Sequence, residues 1–370
     1  MRNGPERVAA TRDIVSIVNS VTIDLVAHDA AVSRRRARYC SQVSRGSAAL
    51  PESTLVLGVE LGSRGMRVVA ADRSGHIIDA VHGILPRATA HTAVEALGLL
   101  VEQMLTRPEI EPDRLRGIGI AFGGPVDAER GTTITSSRIP GFEQFPLAGV
   151  MEDRFGLPVV LENDARAAAL GEFRLGAGRG SHTMIYLQLG IGVGGGIVLD
   201  GRLLHGSTMT AGEFGHMPVT VDGPRCSCGK PGHLEAYVSE SAVVNRMRER
   251  IWQADPLAAE AWQAAGGVTM RRIFEAMDTD EDAREVADLT TRMVGLALAS
   301  LVTALNSDAV VLGGYARALG DDFVGAVRTR IRQYAFDSAA QRLTVSAGQL
   351  GDDAAILGAI ALTLDALRAT

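Results

Sequence analysis

Residues 211–216 read AGEFGH, and residues 226–237 read CSCGKPGHLEAY. Between them they carry four side chains that bind metals through nitrogen or sulfur: His216, Cys226, Cys228 and His233. Zn²⁺ in structural sites prefers about four such ligands in a tetrahedron, and Gly229 and Gly232 allow the chain to fold tightly round an ion. The alternative is a pair of buried cysteines beside a surface histidine. The spacing favours a structural zinc site that fixes the loop in which both segments lie.

The segment VVLENDARAAALGE, residues 159–172, predicts a short strand followed by an Ala-rich helix. The strand ends at Asn163 and Asp164. A carboxylate in that position can accept a proton from an attacking hydroxyl group, and the adjacent amide can orient that hydroxyl. The alternative is that Asp164 only caps the helix. The surrounding motif favours a catalytic type of aspartate.

Glycine turns divide the 370 residues into two similar halves. The first half begins with a predicted strand over 55–60, a tight turn and a returning strand. The second half repeats this order with a strand over 183–189, a glycine loop over 190–196 and a strand over 197–199, which indicates an internal duplication. The predicted units are a poorly ordered basic extension (1–53), an N-terminal α/β domain (54–176), a C-terminal α/β domain with the zinc loop (177–353) and a final helix expected to pack on the N-terminal domain (354–370).

Composition narrows the classes of protein that fit. A hydrophobic content of 46% is enough for sizeable cores. No run of 18 apolar residues appears and the N-terminus lacks the apolar stretch of a secretory signal, so we expect no membrane partner and a cytoplasmic location. The net charge of −6 argues against nucleic-acid binding over the whole surface. Three cysteines cannot build a disulfide framework.

These motifs resemble the signature of the ROK family, which comprises bacterial sugar kinases and sugar-responsive repressors. The resemblance extends over residues 54–370, with several motifs in the family's order. It implies an α/β fold with two actin-like, ribonuclease-H-like domains and a cleft between them, each domain a mixed sheet flanked by helices. His233 stands where the family usually has a third cysteine, and histidine can replace cysteine as a zinc ligand.

The resemblance also implies roles for individual residues. Asp164 corresponds to the catalytic base. Sugar hydroxyls need paired hydrogen bonds, because an unpaired buried polar group costs about 1–3 kcal/mol. The alternative for Glu213 and Glu235 is that they are ordinary surface carboxylates. The implied set that binds a sugar or polyol is Asn163, Asp164, Glu213, His216, Glu235, Gly124 and Ser137.

Two glycine turns resemble the family's phosphate loops, with departures from its pattern. The first loop usually reads Asp-x-Gly-Gly-Thr, and here Glu60 could still hold Mg²⁺ through water while Arg64 supplies a cation. In the second loop Ile191 replaces a threonine. The alternative is that both loops are only structural turns, as in the family's non-catalytic repressors. The implied ATP-binding residues are Glu60, Gly62, Ser63, Arg64, Gly190, Gly192, Gly194, Gly313 and Gly314.

Two functions follow from the resemblance. One is ATP-dependent phosphorylation of a hexose, an amino sugar or a cyclitol, with Mg²⁺ and ATP bound. The other is a sugar-responsive transcriptional regulator, which alone would use DNA as a partner through the five arginines of residues 33–45. A solvated arm is the alternative for that stretch, because the 53 residues before Thr54 are fewer than a winged helix-turn-helix with its linker takes in the family. By analogy we expect a dimer or tetramer.

Overall fold

Two five-stranded mixed sheets form the framework of the computed structural model, which describes residues 50–62, 65–85, 89–136, 138–254 and 256–369. All but the last four residues of the predicted basic extension lie outside this range. The strands are β1 Leu55–Gly62, β2 Gly65–Asp72, β3 Ile77–Gly83, β4 Leu115–Phe122, β5 Val126–Asp127, β6 Thr132–Thr133, β7 Val159–Asn163, β8 Thr183–Leu189, β9 Val193–Leu199, β10 Arg202–Leu203, β11 Ala309–Gly314 and β12 Thr344–Ala347.

Helices cover the sheets and provide most of the connections between parallel strands. The helix over 315–334 is interrupted at Gly320, whose φ of 76° is not helical. The α-helices of the described residues are α1 Ala90–Leu105, α2 Leu147–Phe155, α3 Asp164–Leu175, α4 Glu235–Val238, α5 Glu240–Ala254, α6 Pro256–Ala264, α7 Met270–Ala276, α8 Glu281–Leu305, α9 Tyr315–Tyr334, α10 Asp337–Ala340 and α11 Ala354–Arg368.

The two sheets share one topology. The first has the order β3-β2-β1-β4-β7 and the second has the order β10-β9-β8-β11-β12. In each, three antiparallel strands are followed by two strands parallel to the first of them. This equivalence supports the predicted duplication and confirms the predicted α/β class with mixed sheets flanked by helices. The residue numbers of the domain boundaries stay a prediction.

Alternate residues of the central strands face two different helical layers, which explains why these strands are apolar on both faces. In β1, Leu57 faces the core formed with α1 and α2, whereas Val56 faces α11. In β8, Leu187 faces the core formed with α8 and α9, whereas Tyr186 faces α3. Helices α3 and α11 therefore lie between the two sheets.

Glycines allow α3 and α11 to cross at backbone contact distance. A Cβ added to Gly358 of α11 would collide with the carbonyl oxygen of Ala167, and one added to Gly171 of α3 would collide with the carbonyl oxygen of Ala354. Gly58 lets β1 approach the same layer, since its Cβ would lie 2.8 Å from Ile360. The last helix thus packs on the first sheet and on the helix that follows β7.

Two details of the elements bear on the sequence-based predictions. Strand β9 begins at Val193, four residues before the predicted start at Ile197, because the hairpin closes within 190–192. Among the described residues one helix, α8, is long and apolar enough to cross a membrane by length and composition. Because 61% of its most apolar window is buried within the protein, α8 is typical of a core helix.

Candidate functional site

The β7–α3 junction places Asn163 and Asp164 at the carboxyl edge of the first sheet. Strand β4 runs parallel to β7, and its last residue, Phe122, is in register with Asn163. The Asn163 amide nitrogen donates to the carbonyl oxygen of Gly124 (3.0 Å), which follows β4. The structure therefore brings three residues of the predicted polyol set together.

The helix cap is Asn163, not Asp164. The Asn163 side-chain oxygen accepts from the backbone N–H of Arg166 (3.0 Å), as expected of an N-cap. Asp164 is the first residue of α3, and its Oδ1 accepts from the backbone N–H of Ala165 (2.8 Å) and from Asn163 Nδ2 (3.2 Å). Its Oδ2 lies near Gly123, where an added Cβ would be 3.5 Å away. The capping alternative for Asp164 is therefore wrong, and its second oxygen faces a glycine.

The surroundings of Asp164 raise the pKa of its carboxyl group to about 6. Burial is the largest cause, because it penalises the charged form. The negative charges of Glu60 and Glu213 raise the pKa further, whereas the Ala165 N–H and the Arg138 guanidinium lower it. Glu60 from the first glycine turn and Glu213 from the AGEFGH segment are thus close enough to act on one carboxylate.

The position of Glu213 is fixed by its chain neighbours. Gly212 has a φ of 96°, and a Cβ there would collide with the carbonyl oxygen of Gly195 in β9. Phe214 follows Glu213 and is buried against the second sheet, where Gly195 again leaves room for it. Glu213 itself is half-buried between these two anchors.

The four predicted metal ligands form one cluster. The ligand atoms of His216, Cys226, Cys228 and His233 all lie within 4.8 Å of one another. The distance from Cys226 Sγ to His216 Nδ1 is 3.4 Å, and that from Cys228 Sγ to His233 Nδ1 is 3.3 Å. Zinc–sulfur and zinc–nitrogen bonds in a tetrahedron place such pairs roughly 3.5 Å apart, so the residues fit a zinc ion.

A tight turn shapes this cluster. The Cys226 N–H donates to the carbonyl oxygen of Lys230 (2.9 Å), and the Gly229 N–H donates back to that of Cys226 (2.9 Å). Gly232 has a φ of 71°, and a Cβ there would collide with the Thr220 carbonyl oxygen. Both cysteines are thereby turned towards the histidines.

Glu235 links the cluster of two cysteines and two histidines to the second glycine loop. Its Oε1 accepts from the Ser227 hydroxyl (2.6 Å), and Ser227 lies between the two cysteines. Its Oε2 accepts from the backbone N–H of Val193 (3.2 Å), directly after the loop. Glu235 is half-buried rather than an ordinary surface carboxylate.

The second sheet brings the later glycine segments side by side. Strand β11 is parallel to β8, with Gly314 in register with Leu189, so Gly313 and Gly314 lie next to the loop that begins at Gly190. Gly314 has a φ of 68°, and a Cβ there would collide with the Leu189 carbonyl oxygen. Gly192 closes the loop, because its carbonyl oxygen accepts from the Gly190 N–H (3.0 Å).

Gly194 does not belong to that loop. It lies within β9, and an added Cβ would be 2.9 Å from the Ala165 Cβ of α3. Helix packing therefore accounts for this glycine. In the first glycine turn, Gly62 closes the hairpin against Gly65. Ser63, Arg64 and Ser137 lie outside the described residues.

A buried cluster of ionisable side chains beside Asp164 was not predicted from the sequence. Glu162, Arg166 and His205 contact one another through the Glu162 carboxylate, and two of the three side chains are only 1% exposed. The i,i+4 spacing of Glu162 and Arg166 within an apolar segment was a signal that could have revealed the pair. His205 lies 43 residues away and gave no such signal.

Comparisons with known proteins agree with this fold. A family model described as "ROK family" matches residues 56–366. A glucokinase of Halalkalibacterium halodurans is 31% identical over 306 residues, which are 82% of this chain and 92% of the relative. A xylose repressor of Caldicellulosiruptor bescii is 28% identical over 311 residues, which are 84% of this chain and 78% of the repressor.

A solved structure gives the same result. The ROK family glucokinase from Streptomyces griseus, in complex with glucose and AMPPNP, is 32% identical and superposes with a TM-score of 0.70. The match covers 83% of this chain and 98% of that chain. The predicted resemblance and the predicted actin-like fold are confirmed. A kinase and a repressor are both similar to this chain, so the comparisons leave both functions open.

Proposed function

The chain belongs to the ROK family, and on that premise we propose that it is an ATP-dependent kinase that phosphorylates a hydroxyl group of a sugar or sugar-like polyol. Similarity to glucokinases and to xylose repressors supports a sugar site under either function. The choice of a kinase depends on the chain's own residues.

The environment of Asp164 is the observation that carries the kinase proposal. Its carboxyl group is half-buried at a strand–helix junction, and its pKa is raised to about 6. Such a group is ionised at neutral pH but has a higher proton affinity than an ordinary aspartate, which suits a general base.

In the proposed reaction a polyol oxygen attacks the γ-phosphorus of ATP, its proton passes to Asp164, and ADP leaves as the bond to the bridging oxygen breaks. Asp164 Oδ1 is held by Ala165 and Asn163, so Oδ2 is the atom that we assign to the proton. The Asn163 amide donates to Gly124 and to Asp164, and we therefore assign Asn163 to orienting the base.

We assign the polyol contacts to the carboxylates and the histidine around this base. Glu213 acts electrostatically on Asp164, which supports a place beside the same substrate. His216 faces Cys226 through Nδ1, which leaves Nε2 for a hydroxyl group of the polyol. Glu235 is oriented by Ser227 and Val193, as a rigid sugar ligand requires.

Residues of the chain could hold each of the proposed cofactors, Zn²⁺ and Mg²⁺ with ATP. A zinc ion at the cysteine and histidine cluster would hold the loop from His216 to Glu235 in place. Mg²⁺ bound with ATP would neutralise charge on the β- and γ-phosphates. Glu60 lies near Asp164 on the first sheet, and the N–H groups around Gly190 and Gly314 lie together on the second. We propose these segments as the two sides of the ATP site.

The test is release of ADP from MgATP by the purified chain. The panel is glucose, xylose, an N-acetylhexosamine and myo-inositol. We expect sugar-dependent ADP release that falls by two orders of magnitude or more in Asp164→Asn, because a general base contributes about 10²–10⁴-fold. Asp153→Asn, an exposed aspartate of α2, is the matched control and should keep full activity. Equal ADP release by the wild type and Asp164→Asn would contradict the proposal.

A transcriptional regulator is the second candidate, supported by Ile191 and Glu60, which depart from the family's phosphate loops, and by the similar xylose repressor. Ile191 is 58% exposed in the glycine loop, where a hydroxyl donor would otherwise face a phosphate. Sugar binding without turnover, together with salt-sensitive DNA binding that the sugar relieves, would establish the regulator instead.

A further inference from the structure

A buried network of hydrogen-bonded polar side chains lies directly behind the proposed base. The Glu162 carboxylate receives the Arg166 Nε–H at Oε1 (2.7 Å) and contacts His205 Nε2 at Oε2 (2.6 Å). The Asn163 N–H also donates to Oε1 (2.8 Å). Glu162 and Arg166 are each 1% exposed and His205 is 15% exposed, so the pairing is sheltered from solvent.

The Arg166 guanidinium joins three separate segments of the chain. Nε binds Glu162 of β7, Nη1 donates to the carbonyl oxygen of Met209 (2.6 Å), and Nη2 donates to that of Val126 in β5 (3.3 Å). The segment with Glu162 leads into Asp164, and the segment with Met209 leads into Glu213. The third directly follows Gly124 and Pro125. Each segment thus leads to, or directly follows, a proposed residue of the polyol site.

The loop over 205–212 is held by this network at two points. His205, the first residue of the loop, contacts Glu162, and Met209 in the middle of the loop accepts a hydrogen bond from Arg166. Met209 has a φ of 59°, a left-handed conformation that non-glycine residues rarely adopt and that persists only where the surroundings impose it. Most other loop residues are exposed or half-buried, so packing alone gives them little support.

Burial makes these hydrogen bonds mutually dependent. A buried guanidinium is tolerated only when its donors are paired, and removal of one partner leaves the other uncompensated. The three nitrogens of Arg166 donate to three separate acceptors, and lysine cannot reproduce this fully because it offers a point charge without the planar fork. The network therefore fixes the distances between the three segments that Arg166 joins, and a lysine at this position would fix them less well.

We infer that Arg166 and His205 are positioning residues that hold the 205–212 loop, and with it Glu213, against the Asp164 junction, and so set the affinity for the polyol. The part of this inference that concerns affinity rests on the proposed function. The part that concerns the loop does not.

The test combines amide hydrogen exchange with calorimetric sugar binding on the full chain. In Arg166→Met we expect faster exchange across 205–213 and a dissociation constant at least tenfold higher for the sugar of the panel that the wild type binds best. Arg166→Lys should recover part of both effects. Arg174→Met is the matched control on the same helix, because its half-exposed guanidinium binds Asp365 and the Gly201 carbonyl; its loop exchange and affinity should equal those of the wild type.

Two further variants guard against a chain that fails to fold. Glu162→Gln/Arg166→Met removes both buried charges, and His205→Ala releases only the start of the loop; both should speed exchange at 205–213. Unchanged loop exchange in a folded variant would overturn the inference. If the wild type binds no sugar of the panel while loop exchange still rises in the variants, the proposed function fails and the positioning role stands. Faster loop exchange with unchanged sugar affinity would overturn the claim that the network sets affinity.

Discussion

At the scale of single residues, Asp164 is subject to opposing effects on its pKa. Burial and the charges of Glu60 and Glu213 favour the protonated form, whereas the Ala165 N–H and the Arg138 guanidinium favour the ionised form. The first group prevails, and the pKa rises from 3.8 to about 6. Two predictions follow from the direction of that shift.

The first concerns activity. A base works only when it is deprotonated, so kcat/KM should rise with pH up to about 6 and level off above it. Glu213→Gln removes a charge that raises the pKa and should move this inflexion to lower pH, whatever its effect on affinity. Initial rates from pH 4.5 to 8 measure both. An inflexion near 4, or one that Glu213→Gln leaves in place, would contradict the assignment.

The second concerns stability. A carboxyl group whose pKa is raised in the folded state stabilises the fold below its unfolded pKa, and this contribution is lost as pH rises through about 6. Asp164→Asn keeps the shape without the charge, so it should be more stable than the wild type by about 1–3 kcal/mol at pH 8. Urea unfolding at pH 5 should show a smaller gain. A gain that does not vary with pH would argue against a raised pKa.

At the scale of elements, the close crossing of α3 and α11 depends on glycines, which have no side chain to separate the two helices. Gly358→Ala would place a methyl group against the Ala167 carbonyl, and overpacking of this kind costs about 1–3 kcal/mol or more. Gly325→Ala in α9 is the matched control, because nothing lies within 4 Å of its added Cβ. It should stabilise by up to about 1 kcal/mol. Urea unfolding of both variants decides whether the crossing is as tight as described.

The loop from His216 to Glu235, which carries the proposed zinc ligands, is the second element with a testable role. Ser227 lies between two proposed zinc ligands and donates to Glu235, so loss of the ion should disorder a proposed polyol contact. We expect a strong chelator, or Cys226→Ser, to weaken sugar binding by tenfold or more and to release about one zinc ion per chain. Cys40→Ser changes the cysteine outside this set and should do neither. Sugar affinity that survives chelation would separate the metal from the sugar site.

At the scale of the whole molecule, one helix pair supports both sheets. The proposed ATP site has Glu60 on the first sheet and Gly190 and Gly314 on the second, so under the kinase proposal both sheets would approach a bound nucleotide. In a kinase, exclusion of water by such an approach limits wasteful hydrolysis of ATP.

Closure should be visible in solution. We expect the sugar of the panel that the wild type binds best, together with a non-hydrolysable ATP analogue, to lower the radius of gyration in small-angle scattering more than either ligand alone. Asp164→Asn should close in the same way, because it changes charge rather than shape. A radius that no ligand changes would fit a regulator that binds sugar without closing over ATP.

The sequence alone determined what depends on neighbours along the chain. The four proposed metal ligands lie within 18 residues, the Asn163–Asp164 pair is contiguous, and the second glycine loop follows its strand directly, so spacing and residue type sufficed to identify these segments. The succession of strand, glycine turn and strand that opens each half was also readable, because apolar runs and glycine turns are local features.

Only the tertiary structure decided which distant segments meet. The contacts of Arg166 with Met209 and Val126 join residues 43 and 40 positions apart, and no local pattern encodes such a pair. The same holds for Gly194, where an added Cβ would lie 2.9 Å from the Ala165 Cβ of α3. The physical reason is that residue types determine which groups are able to form hydrogen bonds or to clash. Which partner a buried group finally contacts depends on the packing of the whole chain.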